Sequence, residues 1–380
     1  MWAADAPHAT RRASLSLRGS FEFNTRPAGS TGVSMPGRLR IGLICGTDAA
    51  RQVVFDRRVG VLLSGNNDAI DVVKRLDPAH FTWTRLHLAE SYFAGQVRWN
   101  LANIDVLWNL ISDADENPAV LAVAERFISE SGLPVINPPP LVRASRRHLL
   151  AESLAGIPDL EVPRVLRLPY PTPERVRRQA EAAGLAFPVI LRRAGLHNQQ
   201  VMGPFAAPES LPQVVGDDDH YVTEFADVRD PDGLYRRTRF WFIGDQIFRK
   251  SLQFQDHWCV GGSDTKAYMR ARPDLMAECR RHAAAGFDGQ PARTQAALRE
   301  LRSRVGLDYF GADVGVKPDG RLVLFEANAC MNYQPDEPAD GDLFQAPPVA
   351  EALAAVSRLV WAKAGVGGDA APASSLEPAG

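Results

Sequence analysis

The chain has 380 residues, 45 % of them apolar and 23 % charged, the balance of a soluble globular protein with two or three packed units. Its net charge of −2 gives no bulk attraction for a polyanion, so no nucleic-acid partner is expected. Four scattered cysteines without a Cys-x-x-Cys pair exclude a zinc or disulfide framework and fit a reducing cytoplasm. No apolar run reaches the roughly 18 residues of a membrane span, so no membrane partner is expected either.

Residues 1–37 and 366–380 are rich in small residues without periodicity and read as unstructured tails. The first unit, 38–140, opens on the apolar run Leu39–Gly46, a buried strand. A helix over 68–76, a strand over 81–86, a strand over 104–110, a helix over 118–131 and a strand over 133–137 follow. Strands alternating with helices predict a mostly parallel α/β sheet.

The second unit, 141–225, starts with a helix to Ala155. Thr172 then caps a helix that has Pro173 in its first turn. Strands are expected at 187–192 and 221–225, with a loop between them. In the third unit, 226–365, two apolar stretches flank Gly244-Asp245, a hairpin signal. A helix over 291–305, strands over 308–316 and 321–328 around Pro318-Asp319, and a closing helix over 348–364 complete it.

The chemistry concentrates in that second hairpin. Side chains alternate faces along a strand, so Glu326 and Asn328 share one face. An even-length loop pairing Lys317 with Gly320 places Asp313 opposite Leu324, on that same face. Two carboxylates and an amide then converge, hard oxygen donors that suit Mg²⁺ or Mn²⁺ beside phosphates.

In order and spacing these segments resemble the ATP-grasp ligases, among them glutathione synthetase and the enzyme that adds glutamate to a ribosomal protein. The resemblance spans roughly residues 100–360 and rests on Asp105–Asn109, Val135–Pro138, Phe187–Arg192, Thr223–Phe225, Arg239–Asp245, Leu307–Asp313 and Glu326-x-Asn328. It implies a Rossmann-like first domain followed by two α+β domains that clamp ATP. It further implies that Glu224 and Phe225 hold adenine and Asp227 holds ribose. Asp313, Glu326 and Asn328 would bind two Mg²⁺ (or Mn²⁺) ions, and Arg239 would stabilise the transferring phosphoryl group. The implied reaction activates a substrate carboxylate as an acyl phosphate and joins it to an amine. The partner is then a small molecule or peptide, and a homo-oligomer is left open.

The sequence departs from the family where phosphate-binding lysines are usual. Only five lysines stand among 43 basic residues. Arg192 occupies one such position, and Arg147, between Arg146 and His148, is the best placement for the other. The phosphate-covering loop, Gly195–Gln200, has one glycine, which restricts backbone approach to phosphate. Lys250 and His257 lie beyond the Arg239 hairpin, within reach of phosphates or nucleophile. Two alternatives accompany the ligase: a catalytically degenerate ATP-binding regulatory module, and a phosphotransferase.

Overall fold

The computed structural model describes residues 38–48, 54–56, 61–63, 70–96, 98–195, 201–213, 218–329 and 349–366. The expected tails lie outside these apart from Val366, as do Leu196–Gln200 of the phosphate-covering loop. Leu39–Gly46 (β1) is buried along nearly its whole length, as a strand covered on both faces must be. Val54–Asp56 (β2) and Val61–Leu63 (β3) pair as a short antiparallel hairpin that no sequence signal announced. Ile70–Val73 (α1) is one turn of the helix expected over 68–76. Phe81–Leu88 (β4), Val106–Asn109 (β5), Pro118–Ser131 (α2) and Val135–Ile136 (β6) complete a parallel sheet of order β4-β1-β5-β6. The α2 helix has the expected bounds, set by Pro118 in its first turn and a left-handed Gly132 at its end.

Pro139–Ala144 (α3) and Arg147–Ser153 (α4) replace the single helix expected to run to Ala155. The Ser145 N–H folds back on the Leu141 and Val142 carbonyls, and Arg146 is extended, with ψ 139°. The break separates two consecutive arginines, Arg146 and Arg147, a point that matters at the site.

Leu160–Glu161 (β7) leads to Val165–Pro169 (β8) and Pro173–Ala183 (α5), where the Thr172 hydroxyl accepts from the Arg175 N–H as an N-cap. Val189–Arg193 (β9), Val201–Phe205 (β10) and Asp219–Glu224 (β11) follow. The second sheet is antiparallel, in the order β10-β9-β11-β8, with β10 where a plain loop was expected. Leu191, Val222 and Val189 pack on Val176 and Ala180 of α5.

Tyr235–Ile243 (β12) and Gln246–Gln255 (β13) form the hairpin signalled by Gly244-Asp245. Gly262–Arg270 (α6) and Pro273–Ala285 (α7) then pack on β13, and neither was anticipated. Ala292–Val305 (α8), Tyr309–Val316 (β14), Leu322–Asn328 (β15) and Val349–Lys363 (α9) finish the chain. The third sheet has the order β13-β12-β14-β15-β7, with β7 parallel to β15 at its edge. One face buries Phe240, Phe242, Phe310, Ala312, Val314 and Leu324 against α8, with the Phe242 and Phe310 rings stacked at 4.3 Å. The other buries Trp241, Ile243 and Tyr309 against α9 and the first sheet. Farther along that second face the same alternation places Arg237, Arg239 and Asp313, so an apolar floor gives way to a charged one.

Asn137 joins the first and third sheets. It is 2 % exposed, with φ 56°, a left-handed conformation that Asn tolerates. Its side chain donates to the Tyr309 carbonyl at 2.6 Å and accepts from the Asp308 and Tyr309 N–H groups at 3.0 Å each. Among the described residues no helix is long and apolar enough to cross a membrane.

Candidate functional site

The β14–β15 hairpin turns through three residues, Pro318-Asp319-Gly320. The Lys317 N–H donates to the Arg321 carbonyl and the Gly320 N–H to the Lys317 carbonyl. Gly320 sits at φ 83°, the left-handed position such a loop requires. The loop is therefore odd, and Val316 opposes Leu322. The expected pairing of Asp313 with Leu324 is corrected: Leu324 opposes Val314 and enters the core. A bulge then leaves Phe325 without a cross-strand partner, and beyond it Asp313 opposes Glu326 and Gly311 opposes Asn328. Asp313, Glu326 and Asn328 thus share the face that carries Arg237 and Arg239.

Each carboxylate is held by a pair of arginines. Arg239 donates from Nε and Nη2 to the two Asp313 oxygens at 2.5 and 2.7 Å, a fork-to-fork bond between register neighbours. Arg237 Nη1 approaches the same carboxylate at 3.4 Å. Burial pushes the Asp313 carboxyl up, but Arg239 and Arg237 outweigh it and hold the group below the usual carboxylate range. Glu326 Oε2 meets Arg147 Nη2 at 2.6 Å and faces Arg192 Nη1 at 3.7 Å, while Glu326 Oε1 accepts from the Asn328 amide. Arg192 Nη1 is buried without a hydrogen-bond partner. Burial, with Arg147 beside it, pushes the Arg192 guanidinium down to about 10.

A second charged cluster, centred on Asp115, ties the loop after β5 to the second sheet. Asp115 accepts from the Tyr221 hydroxyl on β11. Its Oδ1 lies 3.1 Å from Arg146 Nε and 3.0 Å from Arg167 Nη1, close enough for charge attraction but not aligned as hydrogen bonds. Arg167 also holds Asp219 at 2.7 Å. The helix break after α3 makes this possible: Arg146 turns to Asp115 and the Ala114 carbonyl, whereas Arg147 reaches Glu326 and the Phe325 carbonyl. Between the two clusters opens a shallow cleft lined by Ser112, Asp113, Arg147, Tyr221, Glu326 and Asn328 among others.

The remaining sequence candidates lie outside these ion pairs. Glu224 is tied up locally, its carboxylate accepting from the Arg164 and Ala186 N–H groups at 3.0 and 2.8 Å. The Glu224 and Phe225 N–H groups donate to the Arg164 and Pro188 carbonyls, so both hinge donors are used within the chain. The Phe225 ring meets Trp258 edge-on at 5.8 Å, which closes one wall beside the hinge. Asp227 is exposed and accepts from the Arg229 N–H. Lys250 is the extra residue of a bulge in β13, with Nζ 4.9 Å from the Trp241 ring centre. His257 is exposed, two residues beyond β13. Sequence reasoning missed Arg237, which the Arg-x-Arg spacing on one strand could have found. It also missed Asp115 and Tyr221, which carry no local signal.

No protein-family model matches the sequence, and no curated protein is similar to it. Solved structures do resemble it. The D-alanine-D-alanine ligase of Coxiella burnetii aligns with 86 % of this chain and 96 % of its own, at 11 % identity and a TM-score of 0.50. The D-alanine–D-alanine ligase of Bacillus anthracis, complexed with ATP, aligns with 87 % of this chain and 97 % of its own, also at 11 % identity and 0.50. The chain has the ATP-grasp fold. Its three sheets are the frame of that fold, and the charged face of the third lies where two sheets approach each other.

Among the described residues no group of three or more His, Cys, Asp or Glu side chains gathers to hold a metal. The Asn328 amide lies on the same face as the Asp313 and Glu326 carboxylates. Two carboxylates and an amide on one face are the oxygen set that Mg²⁺ or Mn²⁺ takes, so the residues fit such an ion chemically. Both carboxylates are at the same time engaged by guanidiniums.

Proposed function

We propose that the chain is an ATP-dependent ligase that activates a carboxylate as an acyl phosphate and joins it to an amine, releasing ADP and phosphate. The observation that carries this reading is the single sheet face that brings Asp313, Glu326 and Asn328 together with Arg147, Arg192, Arg237 and Arg239. ATP-grasp folds include the D-alanine ligases named above, one of them complexed with ATP.

In this reading the nucleotide lies between the second and third sheets. The hinge at Glu224-Phe225 offers carbonyl oxygens to the base, its N–H groups being used, and Asp227 is the acid beside the ribose. Arg147 and Arg192 hold phosphate oxygens, and Arg237 and Arg239 neutralise charge on the transferring phosphoryl group. Asp313, Glu326 and Asn328 would hold a divalent ion, which when bound supplies further neutralisation between the phosphates. The cleft beside Glu326 takes the acid. Its carboxylate oxygen bonds to the γ-phosphorus as ADP leaves, and an amine then bonds to the carbonyl carbon as phosphate leaves. The substrate is a small molecule or a peptide carrying these groups.

The test is phosphate release with ATP, Mg²⁺ and a matrix of amino acids and short peptides, with hydroxylamine added to trap the acyl phosphate as a hydroxamate. ADP, phosphate and hydroxamate are expected. Glu326→Gln should lower the rate by about 10²–10³, the range for losing one charge-stabilising group. AMP with pyrophosphate, or a stable phosphorylated product, would move the protein to another reaction class. Binding of ATP without turnover on any substrate would favour the regulatory reading.

A further inference from the structure

We infer that Arg237 touches the nucleotide's phosphates and that Gln253, on the neighbouring strand, is its positioning residue, holding the guanidinium without cancelling its charge. This rests on the nucleotide reading above and concerns which side chains of that site meet the ligand. Along β13, Leu252 and Phe254 enter the core beneath α6 and α7. Ser251 and Gln253 alternate with them and so lie on the site face, directly across from Arg239 and Arg237. Gln253 Oε1 accepts from Arg237 Nε at 3.1 Å and from Arg237 Nη2. A guanidinium only donates, so the amide oxygen is the atom that holds it. Arg237 Nη1 is left 3.4 Å from Asp313 Oδ2, beyond the usual hydrogen-bond length.

Two arginines on one strand are thus held in different ways. Arg239 places Nε and Nη2 on a carboxylate, a charge-assisted fork. Arg237 places the same two nitrogens on a neutral amide. That bond is weaker, but it fixes the plane of the guanidinium and leaves its charge for another partner. Nη1 then stands ready for an anionic oxygen while the rest of the fork is anchored, an arrangement that a flexible lysine does not offer. An acid in place of Gln253 would tie Arg237 as Asp313 ties Arg239. The direction of Arg237 fits this use. Burial raises the Cys259 thiol, four residues beyond β13, while Arg192 of the second sheet and Arg237 of the third both pull it down. The two guanidiniums therefore look into one gap, where the nucleotide reading puts the phosphates.

The experiment is calorimetric titration of the full chain and its variants with the β,γ-imido analogue of ATP in excess Mg²⁺, with urea midpoints as the check on folding. Arg237→Met should weaken binding about tenfold or more, the loss expected for a charge-assisted contact. Gln253→Glu keeps the side chain's shape and adds an ion pair, so the urea midpoint should hold or rise while binding weakens about tenfold. Gln253→Ala releases the guanidinium but spares its charge, and should weaken binding only about threefold, the scale of a neutral hydrogen bond. A residue that merely packs would give the reverse order, Ala worse than Glu. In the Arg237→Met background Gln253→Ala should add less than about twofold, because Gln253 acts through Arg237. Binding by Arg237→Met within about twofold of the parent chain would overturn this inference and leave the proposed function standing. So would the reverse order at Gln253, or an undiminished loss from Gln253→Ala in the Arg237→Met background. No binding by the parent chain would instead overturn the nucleotide reading itself.

Discussion

Replacing Asp115 with Asn tests whether the second charged cluster holds the second sheet against the first. Asp115 has a side chain only 8 % exposed, and it meets Arg146 at 3.1 Å, Arg167 at 3.0 Å and the Tyr221 hydroxyl. Asn keeps the volume and one carbonyl oxygen but removes the charge. Stripping one partner from a buried ion pair costs about 3–5 kcal/mol. Here the two guanidiniums are 22 % and 25 % exposed, and each keeps a second partner, Arg146 the Ala114 carbonyl and Arg167 the Asp219 carboxylate. The loss should therefore fall below that range, at about 2–3 kcal/mol. Tyr221→Phe removes only the hydroxyl donor and should cost about 1.5 kcal/mol. Because the hydroxyl bonds the same carboxylate, the double variant should fall short of the sum by about 1 kcal/mol. Urea unfolding gives the energies. Amide exchange gives the location, with protection lost first in Val165–Pro169 and Asp219–Glu224, the strands carrying Arg167 and Tyr221. A change under about 0.5 kcal/mol with unaltered exchange would place Asp115 among ordinary surface acids and refute the reasoning.

Two further outcomes follow from groups away from the cleft. Asn137→Ala should destabilise the chain by about 2–4 kcal/mol in urea unfolding, because it leaves the Asp308 and Tyr309 N–H groups and the Tyr309 carbonyl without their side-chain partner. His282 bonds Arg249, and burial, with Arg249 beside it, lowers its pKa to about 4 from an ordinary 6.5. Its unfolded form therefore binds a proton that the folded form refuses, so its contribution is present above pH 6.5 and is lost as the pH falls toward 4. Urea midpoints at pH 7 and pH 5 should differ less in His282→Gln than in the parent chain.

What could be read from sequence was local. The bounds of α2 follow from Pro118, an apolar stripe and Gly132, and the cap of α5 from Thr172-Pro173, all within a few residues. The β12–β13 hairpin follows from Gly244-Asp245. The α6 and α7 helices were missed because their faces are mixed: α7 buries Leu275 and Cys279 amid Arg280, Arg281 and His282, a weak stripe. The break after α3 was missed because Leu141–Ala155 keeps helical spacing, and only partners on other elements, Asp115 and Glu326, decide where its two arginines point. Asp115 itself lies 31, 52 and 106 residues from Arg146, Arg167 and Tyr221. No window of sequence contains that cluster.

The metal-type triad is the instructive case, because its face was read correctly through a register that was not. An odd loop in place of an even one shifts every pair by one residue, which by itself turns Glu326 toward Ala312 and the apolar core. The bulge at Phe325 shifts the pairing once more and restores the face. Both shifts have a use. The first lets Leu324 oppose Val314 in the core, while the second swings Glu326 back beside Asp313. The extra residue is housed without burial: the Phe325 side chain is partly exposed and its ring covers Gly315, where a Cβ would come within 2.6 Å of it. Its carbonyl, outside the regular ladder, accepts from Arg147 at 3.2 Å. One bulge thus sets the carboxylate's face and supplies an acceptor for the arginine that neutralises it, which couples the direction of Glu326 to the position of Arg147. Alternation alone could reveal that the acids share a face. The bulge, which depends on which residues the core accepts, explains why an arginine meets them there.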